Sequence, residues 1–217
     1  MILAVDVGGS HVKFLVSGDG SERRRFESGP KLTASEMVDG VARATGDWRY
    51  DKVSIGIPAP VHAGRVVVDP LNLGSGWAGF DFEKAFARPT KVVNDAAMQA
   101  LGGYEGGKML FLGLGTGLGS ALVTDGIVEP MELGRLPFRK GTFEDYVGEG
   151  GRKRRGEKKW LAAVAEVVDE LVAALEPDDV VIGGGNAKRL GELPAKVRLG
   201  ANSDAFRGAF RLWDPAS

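Results

Sequence analysis

Residues 2–7, ILAVDV, are an almost unbroken apolar run, and beyond Gly8 and Gly9 the stretch VKFLV sets apolar against polar positions, so the two predict a buried strand and its hairpin partner. Thr33 and Glu36 stand just ahead of Met37, Val38 and Val41 in the spacing of a capping box, which predicts a first helix. KVSIGIP alternates at Val53, Ile55 and Ile57 and predicts a strand that Pro58 ends. KVVND, residues 91–95, predicts a short strand that delivers Asn94 and Asp95 to a helix beginning AAMQAL. Further on, Thr142 and Asp145 open a short helix, and a longer one carries Trp160, Leu161, Val164, Val167, Val168, Leu171, Val172 and Leu175 at helical spacing. DVVIGGG, residues 179–185, predicts a last strand ending in three glycines. Strands alternating with helices predict an α/β protein.

FLGLGTGLGSALV, residues 111–123, interrupts this regular pattern with glycine at 113, 115, 117 and 119. Glycine weakens a strand, so the run asks for a use. A dinucleotide loop is excluded by spacing, because Leu118 or Ser120 stands where the third glycine belongs. Gly102, Gly107 and Lys108 nearly form a P-loop, but Met109 replaces the required hydroxyl and the segment runs from helix to strand. The run does resemble the start of the chain: LAVDVGGSHVKFLV, 3–16, overlays LFLGLGTGLGSALV, 110–123, without a gap. Both read as strand, glycine turn, strand, which fits either two unrelated hairpins or a duplicated domain. Two facing turns with bare backbone N–H groups can grip a polyphosphate from both sides of a cleft.

Composition narrows the classes. The 217-residue chain has net charge −1 with both signs spread along it, which indicates neither a nucleic-acid surface nor an acidic-substrate groove. The local exception, RKRR at 152–155, reads as a solvated loop ahead of an acid-rich helix, with a polyanion contact as the other reading. There is no cysteine, so disulfides, thiol nucleophiles and thiolate zinc sites are excluded, and His11 and His62 lie far apart. MILAVDVGG enters a strand pattern without a basic region or cleavage site, and no apolar run reaches membrane-spanning length. A cytoplasmic protein that binds neither membrane nor nucleic acid is expected.

DVGGSHVKF, NLGSGWAGFDF, VVNDAAMQAL, LGLGTGLGSALVTDG, MELG and VVIGGGNAK occur together in one order, and NSDAFRGAF follows them near the C-terminus. In this the sequence resembles the sugar kinases of the ROK family, within the actin-like ATPase superfamily, and most of all their polyphosphate/ATP glucokinase branch. The resemblance implies a two-lobed, ribonuclease H-like α/β fold with duplicated hairpin phosphate turns, lobes at 1–93 and 94–217, and a C-terminal helix that packs back on the first lobe. It implies phosphoryl transfer from ATP or polyphosphate to a hexose, glucose first, with Mg2+, in a homodimer whose sugar and donor meet between the lobes. Two departures stand out: the family's cysteine-rich zinc loop is missing, so no zinc is expected, and Arg135 replaces the histidine after ELG. Arginine can still donate to a hydroxyl, or bind a phosphate. Arg135 keeps two rivals open, a non-catalytic sugar or nucleotide sensor and a kinase for a non-sugar acceptor; the family's repressors carry a helix-turn-helix ahead of the first strand, where this chain starts.

Carried onto this chain, the resemblance makes Asp95 the general base, against a reading of the same carboxylate as a helix cap. Asn72, Asn94, Glu132, Arg135 and Glu144 fall at sugar positions. Gly8, Gly9 and Ser10 form the first phosphate turn, and Gly115, Thr116 and Gly117 the second. Asp6 is placed to hold magnesium through water. Lys13 is either a charge partner of the donor or an exposed strand lysine. Gly183, Gly184 and Gly185 fall at the nucleotide-base end.

Overall fold

The computed structural model describes residues 1–18, 22–191, 193–194, 196–201 and 203–214. They divide into two units, Met1–Gly102 with Ser203–Ser217, and Gly103–Asn202. Asn202, in the closing NSDAFRGAF stretch, lies outside the described residues. Among the described residues no helix is long and apolar enough to cross a membrane.

In the first unit the opening apolar run is β1 (Ile2–Val7), and β2 (His11–Val16) returns antiparallel to it, with β3 (Arg24–Glu27) antiparallel to β2. The capping box of Thr33 and Glu36 opens α1 (Ala34–Ala44). Next come β4 (Lys52–Ile57), the small hairpin β5 (Val61–His62) and β6 (Arg65–Val66), α2 (Phe82–Phe86), β7 (Thr90–Asn94) and α3 (Asp95–Gly103). The sheet order is β3-β2-β1-β4-β7, with β1, β4 and β7 parallel. One face carries the main core, built on Leu3, Val5, Phe14, Met37, Ile55 and Trp77.

The second unit repeats that plan. Here β8 (Lys108–Leu114) and β9 (Leu118–Thr124) form the hairpin, and β10 (Ile127–Met131) lines its outer edge. A second small hairpin, β11 (Pro137–Phe138) and β12 (Gly141–Thr142), leads into α4 (Phe143–Val147), α5 (Glu149–Arg155) and α6 (Glu157–Leu175), followed by β13 (Asp179–Gly183) and β14 (Val197–Leu199). The order β10-β9-β8-β13-β14, with β8, β13 and β14 parallel, matches the first sheet strand for strand. The internal sequence echo is thus an echo of whole sheets. The gapless overlay is nevertheless one residue out on its second strand: Val7 faces Val12 across Gly8–His11, whereas Leu114 faces Leu118 across only Gly115, Thr116 and Gly117. Gly113 and Gly119 are strand partners, and only the inner pair of glycines makes the turn. The expected loop at RKRR is instead the end of α5, in which Arg152 pairs with Glu149 on the same helix.

The last helix, α7 (Asp204–Arg211), belongs with the first unit. Ala205, Phe206 and Ala209 pack with Ala4 and Met98 on the sheet face opposite α1, and Ser54 on β4 donates its hydroxyl to the Ala209 carbonyl at 2.6 Å. Contact of α3 with α7 is backbone to backbone. A Cβ on Gly102 would fall 1.8 Å from the Asp204 oxygen, and one on Gly208 would fall 1.7 Å from the Met98 oxygen. The first unit runs on to Gly102 and so takes in nearly all of α3, whereas the expected boundary at 93/94 falls inside β7. Gly208→Ala must push the helices apart, so it should cost about 2–3 kcal/mol and lower the thermal midpoint; an unchanged midpoint and urea curve contradicts this packing.

Candidate functional site

Parallel pairing puts the carboxyl ends of β1, β4 and β7 on one edge of the first sheet, where ligands of open α/β sheets gather. Asp6 lies opposite Gly56 on β4, and a Cβ on Gly56 would stand 3.3 Å from the Asp95 Cα and closer still to the Met98 side chain. Gly56 therefore lets α3 start directly against the sheet, beside Asp6. Asn94 is the cap of α3: its Oδ1 accepts from the N–H groups of Ala96 at 2.9 Å and Ala97 at 3.3 Å, and its Nδ2 donates to the Ala59 carbonyl at 3.2 Å. Asp95 is the first residue of α3, half-buried, with its Oδ1 accepting from Ala96 N–H at 2.8 Å.

The first glycine turn leaves the same edge. Gly8 N–H closes it on the His11 carbonyl at 2.9 Å, and Ser28 secures its far side with its hydroxyl donating to the Gly8 carbonyl at 2.5 Å and its N–H to the Ser10 carbonyl at 3.0 Å. Gly9 and Ser10 are exposed, and among the described residues their N–H groups have no partner. Asn72 stands against this turn, its Cβ 3.3 Å from where a Gly9 Cβ would be. The loop that carries Asn72 is held by Asp69, a residue outside the sequence prediction. Its carboxylate accepts from the N–H groups of Trp77 at 2.8 Å, Ala78 at 2.9 Å and Gly76 at 3.3 Å, and these bonds hold it below the usual carboxylate range.

Lys13 is the cross-strand partner of Asp6, and its ammonium lies 3.4 Å from the Asp6 carboxylate. Burial pushes the Asp6 carboxyl up, against the pull of Lys13 and the charge of Arg23. A hard divalent cation suits such a carboxylate, since it supplies the positive charge that lost solvent no longer does. Asp6 offers a single carboxylate, and among the described residues no group of three or more His, Asp or Glu side chains converges as a complete cage. One carboxylate suits a magnesium ion held through water, since magnesium usually keeps several waters.

In the second unit the turn 115–117 and the segment 183–185 leave the corresponding edge together. Gly184, at φ +86°, has no room for a side chain, since a Cβ would fall 2.4 Å from the Leu114 oxygen. Gly117 has the Glu144 carboxylate where its Cβ would be, and Glu144 accepts from Leu118 N–H at 3.2 Å. The 3-10 turn Leu133–Arg135 packs against Leu118 through Gly134, which brings MELG beside Glu144. Glu132 and Arg135 are both exposed and pair with each other at 3.3 Å, a contact of the kind worth little in solvent. The pair places Arg135, the residue in the family's histidine position, beside Glu132.

Sequence reading missed Asn186 and Glu149. Asn186 is buried, and its Nδ2 reaches the Gly115 carbonyl at 3.3 Å and the Glu149 carboxylate at 3.1 Å. Glu149 also takes a forked bond from Arg152, at 2.8 and 2.9 Å, and this guanidinium with Asn186 holds its carboxyl down at about 2. The only trace in the sequence is that Asn186 directly follows the three glycines.

The sequence profile of the ROK family matches residues 2–130. A glucokinase of Pyrobaculum calidifontis is 25% identical to this chain over 85% of it and 79% of that protein. A kanosamine kinase of Amycolatopsis mediterranei is 25% identical over 90% of this chain and 84% of that protein. The crystal structure of an inorganic polyphosphate/ATP-glucomannokinase from Arthrobacter sp. strain KM superposes with a TM-score of 0.81 at 23% identity, covering 96% of both chains, and so has the same fold.

The low Glu149 value has a pH consequence. Its folded pKa, about 2, lies below the ordinary 4.5, so its contribution to stability is complete above about pH 4.5 and disappears as pH falls toward 2. Glu149→Gln should therefore lower the urea midpoint at pH 7, with the gap from wild type narrowing below about pH 4.5 and closing only near pH 2. A gap independent of pH contradicts the assignment.

Proposed function

This chain belongs to the ROK family, and from that premise we propose that it is a sugar kinase, transferring a phosphoryl group from ATP or polyphosphate to a hexose hydroxyl, with glucose as the first acceptor. The observation that carries the reading is the convergence of Asp6, Asn94 and Asp95 on one sheet edge, with the cap of α3 supplied by Asn94. Asp95, the first residue of α3, is in this reading the carboxylate that takes the acceptor proton.

In this reading the acceptor oxygen attacks the terminal phosphorus of the donor, a new P–O bond forms, the bond to the leaving phosphate breaks, and the hydroxyl proton passes to Asp95. Asn94 and Asn72 orient the sugar, with Glu132, Arg135 and Glu144 as its further contacts. Gly8, Gly9 and Ser10 and the turn Gly115, Thr116 and Gly117 receive donor phosphates on backbone N–H groups, and Gly183, Gly184 and Gly185 let an adenine lie against backbone. Lys13 turns from Asp6 toward the donor. Asp6 would hold magnesium through water, and the ion would supply positive charge against the donor phosphates. The named substrates of the relatives, glucose and kanosamine among them, support a hexose or amino sugar as acceptor.

Purified protein with magnesium should phosphorylate at least one sugar of a hexose and amino-sugar panel from ATP or polyphosphate. Asp95→Asn should lower turnover by about 10²–10⁴-fold while still binding the donor. Near-wild-type turnover in that variant removes Asp95 as the base, and a panel with no product removes the kinase reading.

A further inference from the structure

We propose that Asn186, anchored by Glu149, is a positioning residue that sets the second glycine turn to receive donor phosphate; the inference rests on the kinase reading and adds to it two side chains that touch no substrate.

The argument starts from the planarity of the peptide unit. In a trans peptide the carbonyl of one residue and the N–H of the next point in opposite directions. Glu149 N–H donates to the carbonyls of both Gly115 and Thr116, at 3.1 Å each, and Asn186 Nδ2 donates to the Gly115 carbonyl as well. With these two carbonyls held inward, the N–H groups of Thr116 and Gly117 must face the other way. Among the described residues neither has a partner, and Thr116 is exposed. Two successive amides directed outward are the elements of an anion-binding nest.

Asn186 does this from a buried position and is itself fixed at several points. Its own N–H bonds the Leu114 carbonyl at 3.0 Å, which ties the segment after β13 to the end of β8, and its side chain shares the Glu149 carboxylate with Arg152. Arg152 reaches on to Glu157 at 3.2 Å. A phosphate turn and the Gly184 segment are therefore one connected element, and the charge beside the turn is balanced by Arg152 and Lys153.

The test is Asn186→Leu, of similar volume but without the amide, in the full chain. Calorimetry measures binding of magnesium ATP and of magnesium tripolyphosphate, and kinetics separate donor KM from acceptor KM. Loss of the bond that orients the turn should weaken both donors about tenfold and leave the acceptor KM in place. A folded variant with unchanged donor affinity, or one in which donor and acceptor weaken alike, overturns the proposal. Asn186→Ser, smaller and polar, serves if the leucine variant does not fold, with the same outcomes. If wild type binds both donors but transfers nothing, the kinase reading fails and the turn assignment is decided by calorimetry; if wild type binds neither donor, both fall.

Discussion

In each unit, parallel pairing of three strands forces their carboxyl ends onto a single edge, and an antiparallel hairpin turns over that same edge. Most of the candidate chemistry hangs from this arrangement. Asp6, the turn Gly8–His11, Asn94 and Asp95 share the edge of the first sheet, and the turn 115–117 shares its edge with Gly184 in the second. Close backbone approach then sets the details. Gly56 admits the start of α3 beside Asp6, while Gly102 and Gly208 let α7 hold α3 down. A side chain at any of these points moves the helix that presents Asp95.

Charge is handled differently in the two units. Asp6 is only 14% exposed, so its ionisation depends on a cation nearby, and Lys13 is that cation in the protein alone. In the kinase reading, a donor with magnesium would bring a replacement and make Lys13 available to the phosphates. At the second turn the carboxylate is already neutralised: Glu149 lies between Arg152, Lys153 and Asn186, and its role is to fix the carbonyl side of the loop. The first unit thus keeps a buried carboxylate with a single salt-bridge partner, and the second a carboxylate paired on several sides.

Elements with strong local periods were legible in the sequence. The two hairpins, both capping boxes and the apolar stripe of α6 state their structure within a few residues. What escaped was written in contacts distant along the chain. β3 has only Phe26 as an apolar residue, and Arg24 forms part of the fold because it pairs with Asp47 and stacks 4.4 Å from the Trp48 ring. α5, EGGRKRR, has no apolar stripe and two glycines; it is held by the Glu149–Arg152 pair and by Arg155 lying 3.6 Å over the Tyr146 ring. Asp95 was legible as a candidate, but the bonds from Ala96 and Ala97 N–H that make Asn94 a cap of α3 were not. Asn186 and Asp69 act on backbone groups far away in sequence, and no local pattern signals them.

The central claim is that both glycine turns present bare backbone amides to the donor. Amide resonances of Gly9, Ser10, Thr116 and Gly117 in the labelled protein, followed during titration with magnesium and a non-hydrolysable ATP analogue, test it most directly. The account predicts saturable shifts at all four. Saturable donor binding that leaves either turn unmoved contradicts it.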